Sequence, residues 1–144
     1  MRVVPSAMSR SNGPSQITID ASAFVELLLR TPIGLSIARI VSGAELIAPD
    51  VINPETLQSL RKLERGGKLS GERATRAVAR LSCSDLTRVP TSGLLKDAWS
   101  LRANVSAYDA CYVALARALD CPLLTIDAPL RRAPGLGVTF LGIG

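Results

Sequence analysis

Gln16-Ile17-Thr18-Ile19-Asp20 alternates β-favouring side chains and ends in an acid, and the pattern returns at Leu123-Leu124-Thr125-Ile126-Asp127. Between these two runs the apolar period changes from two to that of a helix. Helices are expected over 21–29 (Phe24, Leu27 and Leu28 on one face), from Thr31-Pro32 to about Ser42, and from the Asn53-Pro54 cap through Leu57, Leu60 and Leu63. Further helices are expected from the Ser70 cap to Leu81, over Thr91–Leu101, and from Ser106 to Leu119. Short strands fit 45–48, 86–89 and 138–141. Strands alternating with helices call for parallel pairing with right-handed crossovers. The expected fold is therefore α/β: a three-layer sandwich with a central, mainly parallel sheet flanked by helices.

The chain has 144 residues, enough for one domain, which we place at 16–144 behind a mobile Ser-, Asn-, Gly- and Pro-containing tail over 1–15. Apolar residues make up 47% and aromatics only 3%, so the core must be built from aliphatic side chains. There is no histidine. That excludes a Ser-His-Asp triad, a Cys-His pair and a His-bearing zinc site. Cys83, Cys111 and Cys121 are odd in number and lack a C-x-x-C spacing, which fits reduced core thiols of a cytoplasmic protein. Charged residues interrupt the longest apolar run, so no membrane span is expected. The net charge of +5 favours a polyanionic partner, with plain solubility as the competing reading.

Four acids occupy special positions. Asp20 and Asp127 end two strands, where ligands gather in parallel α/β sheets. Glu55 and Asp109 fall in the first turns of helices that should start at that same edge. Each acid also has a purely structural explanation: an N-cap for Asp20, a dipole partner for Glu55, a capping box with Ser106 for Asp109, an Asx-turn for Asp127. Four caps converging on one edge are the less economical account. Clustered carboxylates repel and want a cation, and an oxygen-only set points to Mg²⁺ or Mn²⁺. Such ions support phosphodiester hydrolysis without histidine.

Several runs taken together carry a family resemblance: Ile19-Asp-Ala-Ser22 with Glu26-Leu-Leu-Leu29, Ala48-Pro49 before Glu55, and Leu60-Arg61. Leu101-Arg102, Ala107-Tyr-Asp-Ala110 with Tyr112-Val-Ala-Leu-Ala116, and Leu124-Thr-Ile-Asp127 follow in order. The chain resembles the PIN-domain ribonucleases, and within them the VapC toxins of bacterial toxin–antitoxin pairs. The resemblance implies that Asp20 and Asp109 are the principal metal ligands, that Glu55 and Asp127 complete a catalytic acidic pocket, and that Ser22 and Thr125 steady the carboxylates. It implies a metal-dependent endoribonuclease acting on RNA such as tRNA or rRNA and leaving 3′-hydroxyl and 5′-phosphate ends. It further implies a cognate antitoxin protein and a homodimer. The lead-in Val51-Ile-Asn-Pro54 departs from the apolar run expected there.

Among basic residues, Arg102, Arg131 and Arg132 border the acidic edge and are the candidates for RNA phosphate contacts. Arg61, Lys62, Arg65 and Lys68, and the Arg73, Arg76 and Arg80 set, fit solvated helix faces. Tyr108 and Trp99 are the aromatics available for stacking on bases. Leu28, Leu29, Leu60 and Leu63 suit either the core or a partner surface. A receiver domain would need a second acid on the first strand and a late lysine. A haloacid-dehalogenase-type phosphatase would need an aspartate where Ser22 stands, and a dinucleotide-binding fold needs glycines that Ala21-Ser-Ala-Phe24 lacks. A DNA nuclease of the same fold would carry more acids and insertions. The main alternative is a non-catalytic PIN-like module that binds RNA or protein.

Overall fold

The computed structural model describes residues 13–143. The expected tail falls largely on residues 1–12, outside the described residues. Ser15 already belongs to the sheet region, because its carbonyl accepts from the Glu45 amide at 2.8 Å. The elements are β1 (Gln16–Ile19), α1 (Ala21–Leu29), α2 (Pro32–Ile40), β2 (Glu45–Pro49), α3 (Ile52–Arg65), α4 (Gly71–Ser82), β3 (Thr87–Val89), α5 (Leu95–Ser100), α6 (Ala107–Leu119), β4 (Leu123–Leu124) and α7 (Ala128–Arg132).

All four strands run parallel in the order β3-β2-β1-β4. Ile17, Thr18 and Ile19 are buried, as a strand covered on both faces requires. The chain steps outward from β1 to β2 to β3, then crosses back to place β4 on the other side of β1. The reversal makes the β1/β4 boundary the topological switch point, where open α/β sheets form their crevice beyond the strand ends. The Asp20 amide donates to the Leu124 carbonyl at 3.1 Å, so the two strand ends are bonded together at that boundary.

Several expected boundaries move. α3 begins at Ile52, with Val51 at the cap position and no capping side chain. Asn53 therefore does not cap it. Its carboxamide oxygen instead accepts from Arg88 Nε at 2.8 Å. Pro54 sits in the first turn, where a missing N–H costs nothing. The segment expected to be one helix over 91–101 splits into a 3₁₀ turn over Thr91–Leu94 and α5. The last expected strand reduces to a parallel bridge between Leu123 and Phe140. A short helix, α7, follows Asp127 where a turn was expected.

α1 and α2 meet at 107°. Thr31 makes the corner: its Oγ1 accepts from the Gly34 amide at 3.0 Å and donates to Glu26 Oε1 at 2.6 Å. A Cβ at Gly34 would stand 1.9 Å from the Glu26 carbonyl oxygen, so only glycine fits. Arg73 and Arg80 are not simply solvated. Their guanidinium groups donate to the Leu29 and Leu28 carbonyls at 3.2 and 2.9 Å, satisfying the orphan end of α1 from α4. Leu28, Leu29 and Leu60 are buried, which settles them as core. All three cysteines are free; Cys83 is exposed, and Cys111 and Cys121 are half-buried rather than fully internal. Among the described residues no single helix is long and apolar enough to cross a membrane.

Candidate active site

A cavity of about 620 Å³ opens over the carboxyl ends of β1 and β4. Asp20, Glu55, Asp109 and Asp127 all line it, with Ser22, Gln58, Ser59, Lys62, Tyr108 and Tyr112. Asp20 comes from the end of β1, Glu55 from the first turn of α3, Asp109 from the first turn of α6, and Asp127 from the residue preceding α7.

Asp20 is the most constrained of the four, at 4% exposure. Its Oδ1 accepts from the Ala23 amide at 3.0 Å and from Ser22 Oγ at 2.7 Å; Thr125 Oγ1 donates to Oδ2. The capping reading is therefore correct for this residue, yet it engages only one oxygen. A carboxylate offers about four lone-pair sites, so the remaining capacity lies on Oδ2. Each hydroxyl has one proton, and both protons go to Asp20. The 3.3 Å approach of Ser22 Oγ to Thr125 Oγ1 is thus a contact forced by the shared acceptor. As acceptors, Ser22 Oγ takes the Ile126 amide at 3.3 Å and Thr125 Oγ1 the Asp127 amide at 3.0 Å. This pair of hydroxyls fastens the end of β1 to the segment after β4.

Asp109 sits behind the Ser106 cap, whose hydroxyl accepts from the Asp109 amide at 3.1 Å. Burial, followed by the charges of Asp127, Asp20 and Glu55, pushes its carboxyl up to about 6. Asp20 is also raised, chiefly by burial, against the lowering effect of its hydrogen bonds. Glu55 is raised by burial and by the charge of Asp20 while Tyr112 opposes the shift, its phenol donating to Glu55 Oε1 at 2.6 Å. Asp127 makes no capping bond with its side chain. Among the described residues the ion pairs are Arg76–Glu72 and Arg117–Asp97, so no cation neutralises the four acids.

The donor set fits a hard divalent cation: carboxylate oxygens alone, mutually repelling, with no thiolate or imidazole among them. Among the described residues no group of three acids or thiols is arranged to enclose an ion by itself.

The arginines divide. Arg131 is held by the fold: Nη1 donates to the Thr125 and Leu141 carbonyls at 3.1 and 2.8 Å, and the guanidinium lies 5.5 Å from the Phe140 ring centre. These contacts staple the segment after β4 through Nη1. Arg132 is exposed at the end of α7. Arg102 stacks on Trp99 at 4.6 Å, beside an apolar cavity separate from the acidic one. Neither Arg102 nor Arg132 lines the acidic cavity. Sequence reasoning missed the partnership of Tyr112 with Glu55, and the α3 face Glu55-Gln58-Ser59-Lys62. Spacings of three, four and seven from Glu55 are the signal that could have found that face.

Comparison with known proteins accords with this geometry. The PIN-domain family model matches residues 17–136. Ribonuclease VapC9 of Mycobacterium tuberculosis is 39% identical over 117 residues, covering 79% of this chain and 87% of that protein. Ribonuclease VapC3 of the same organism is 36% identical over 126 residues, covering 87% and 92%. Among solved structures, Mycobacterium tuberculosis VapC20, a sarcin–ricin loop cleaving toxin, superposes with a TM-score of 0.61 at 17% identity, covering 80% and 92%. VapBC2 from Rickettsia felis, bound to a DNA fragment from its promoter, gives 0.63 at 10% identity, covering 88% and 97%. With its all-parallel sheet, its four acids at one mouth and relatives of this identity over most of its length, the chain belongs to the PIN-domain family, among its VapC ribonucleases.

Proposed function

We propose that this protein is an endoribonuclease toxin of a toxin–antitoxin pair that hydrolyses RNA phosphodiester bonds, in tRNA or rRNA, at the four-carboxylate pocket with Mg²⁺ or Mn²⁺. The observation that carries the reading is the convergence of Asp20, Glu55, Asp109 and Asp127 on one cavity without a neutralising cation. Asp20 and Asp109 would hold the ion, with Glu55 and Asp127 as the flanking acids. When bound, the ion supplies charge neutralisation at the scissile phosphate and a water acidic enough to attack at neutral pH. Ser22 and Thr125 hold the Asp20 carboxylate in one orientation through its two oxygens. Tyr112 fixes one oxygen of Glu55 and leaves the other open to the cavity to take a proton from water.

An antitoxin protein as partner is supported by the VapC relatives and the VapBC structural likeness. A homodimer belongs to the same reading. The lack of a ready three-ligand cage is the one observation on the side of a non-catalytic PIN-like module. Purified protein, free of partner, incubated with mixed tRNA and rRNA and Mg²⁺ or Mn²⁺ decides between them. Discrete cuts that vanish with EDTA and with Asp109→Asn are expected. No cutting with either metal, while RNA or a partner still binds, would leave the non-catalytic module.

A further inference from the structure

The acidic cavity has a single cation on its wall, Lys62. Four acids line the same cavity, yet Lys62 forms no ion pair with any of them, the only pairs among the described residues lying elsewhere. Lys62 is exposed. It stands on the α3 face that carries Glu55 and Ser59, and a rise of 1.5 Å per residue puts it about 10 Å along the helix from Glu55. Because Tyr112 bonds Glu55, the register of this face against α6 is fixed.

A second cavity of about 470 Å³ adjoins the first, and the two share Ser22, Ser59 and Lys62. Lys68 also lines it. The acid in this second cavity, Glu26, has one carboxylate oxygen engaged by Thr31 at 2.6 Å. The lining therefore changes sign across Lys62, from four acids in the first cavity to two lysines and one acid in the second. An acidic cleavage pocket repels a polyanion, and the substrate must be held by cations beside it. Resting on the nuclease reading above, we propose that the groove from Lys62 to Lys68 is the track for the RNA backbone flanking the cut, each lysine neutralising one phosphate.

Counterion release gives this track a signature that a merely structural lysine lacks. For single strands, each lost phosphate contact lowers the slope of log affinity against log salt by about 0.7. The experiment measures binding of a fluorescein-labelled single-stranded oligoribonucleotide to the full chain in EDTA across a NaCl series, for wild type, Lys62→Ala, Lys62→Arg, Lys68→Ala and Arg61→Ala. Arg61 is on the same helix but lines neither cavity, so it controls for loss of charge alone. Expected are an affinity about tenfold lower and a slope reduced by about 0.7 for each lysine-to-alanine variant, equal for different sequences. Lys62→Arg should restore both, and Arg61→Ala should leave the slope unchanged. With Mg²⁺ or Mn²⁺, Lys62→Ala should raise KM and spare kcat.

Slopes unchanged in both lysine variants, a slope lowered as much by Arg61→Ala, or no binding by wild type at the lowest salt would each overturn the track. A fall in kcat with KM and affinity unchanged would do the same, placing Lys62 in the chemical step. If wild type cuts no RNA but binding keeps its dependence on Lys62, the nuclease reading fails and the track stands. Cutting that persists beside unchanged slopes removes the track alone.

Discussion

The phenol of Tyr112 donates a 2.6 Å hydrogen bond to Glu55 Oε1 and joins α6 to α3 across the acidic cavity. The ring itself is buried, at 1% exposure, so Tyr112→Phe keeps the packing and removes one bond. A bond to a charged acceptor contributes about 1.5–3 kcal/mol. We expect stability to fall by about 1–2 kcal/mol in a denaturant titration and kcat to drop about tenfold, which is about 1.4 kcal/mol in the barrier. An unchanged kcat would exclude Glu55 orientation from catalysis.

Thr125→Val tests the clamp on Asp20. It removes the donor to Oδ2 and the acceptor of the Asp127 amide at once. Loss of outer partners of a metal-holding carboxylate typically costs 10–100-fold in affinity or activity. The Mn²⁺ concentration for half-maximal cutting should rise by about that factor, read alongside Mn²⁺ binding by calorimetry. Equal Mn²⁺ affinity in the two proteins would sink the assignment of Asp20 as ligand.

Asp109 makes stability depend on pH in the reverse of the usual carboxylate sense. Its folded-state value is raised from 3.8 to about 6, mainly by burial and then by Asp127, Asp20 and Glu55. Between those values the folded chain binds more protons than the unfolded one, so stability falls as pH rises through that window. In EDTA the protein should melt at a higher temperature near pH 5 than at neutral pH, and Asp109→Asn should flatten the difference. Mn²⁺ should restore neutral-pH stability by mass action and do little at the acid end, where protons compete. A melting temperature that rises steadily from acid to neutral pH in EDTA would contradict the coupling.

Arg131 and Arg132 are neighbours with opposite expectations. Arg131→Ala loses two bonds to carbonyls and a ring contact, and should cost about 2–3 kcal/mol of stability. Arg132→Ala should leave the melting temperature unchanged and weaken RNA binding by a few-fold with a reduced salt slope. Reversed results in a parallel melt and binding series would overturn the division.

Thr56 carries a buried hydroxyl with no hydrogen-bond partner in the core of α3. An unsatisfied buried polar group costs about 1–3 kcal/mol, so Thr56→Val should stabilise the fold by about 1 kcal/mol. Chemical denaturation checks it, and a loss of stability would mean the hydroxyl is satisfied in solution.

The sheet was legible because Ile17, Ile19, Leu123 and Leu124 form short apolar runs bounded by polar turns, and each run leads to an acid, Asp20 directly after β1 and Asp127 three residues beyond β4. The four acids at one mouth follow from topology, since strand ends and following helix starts share one edge. Capping and site membership turned out not to compete at Asp20, because a carboxylate has two oxygens and the cap engages one. Tyr112 was not readable as a site partner: an aromatic within Ala110–Ala116 has every mark of a core residue, and its hydroxyl finds Glu55 only through the packing of α6 on α3. Arg131 and Arg132 could not be separated without knowing that α7 is a helix, which turns consecutive side chains about 100° apart. Asn53-Pro54 resembled a helix start by local chemistry, but Arg88 claims the asparagine oxygen from β3, a contact no local pattern reports.

Thr125 completes the hold on Asp20 from 105 residues further along the chain. Ribosomes add roughly 5–20 residues per second, so a nascent chain exposes its first acid seconds before the hydroxyl that orients it exists. Asp127 and α7 come later still in the order of emergence. A growing polypeptide therefore carries most of a nuclease without being one, until the stretch from Leu123 to Asp127 has left the exit tunnel and can pair with β1. A cell producing this protein has that interval in which a partner can meet the chain before it is able to cut.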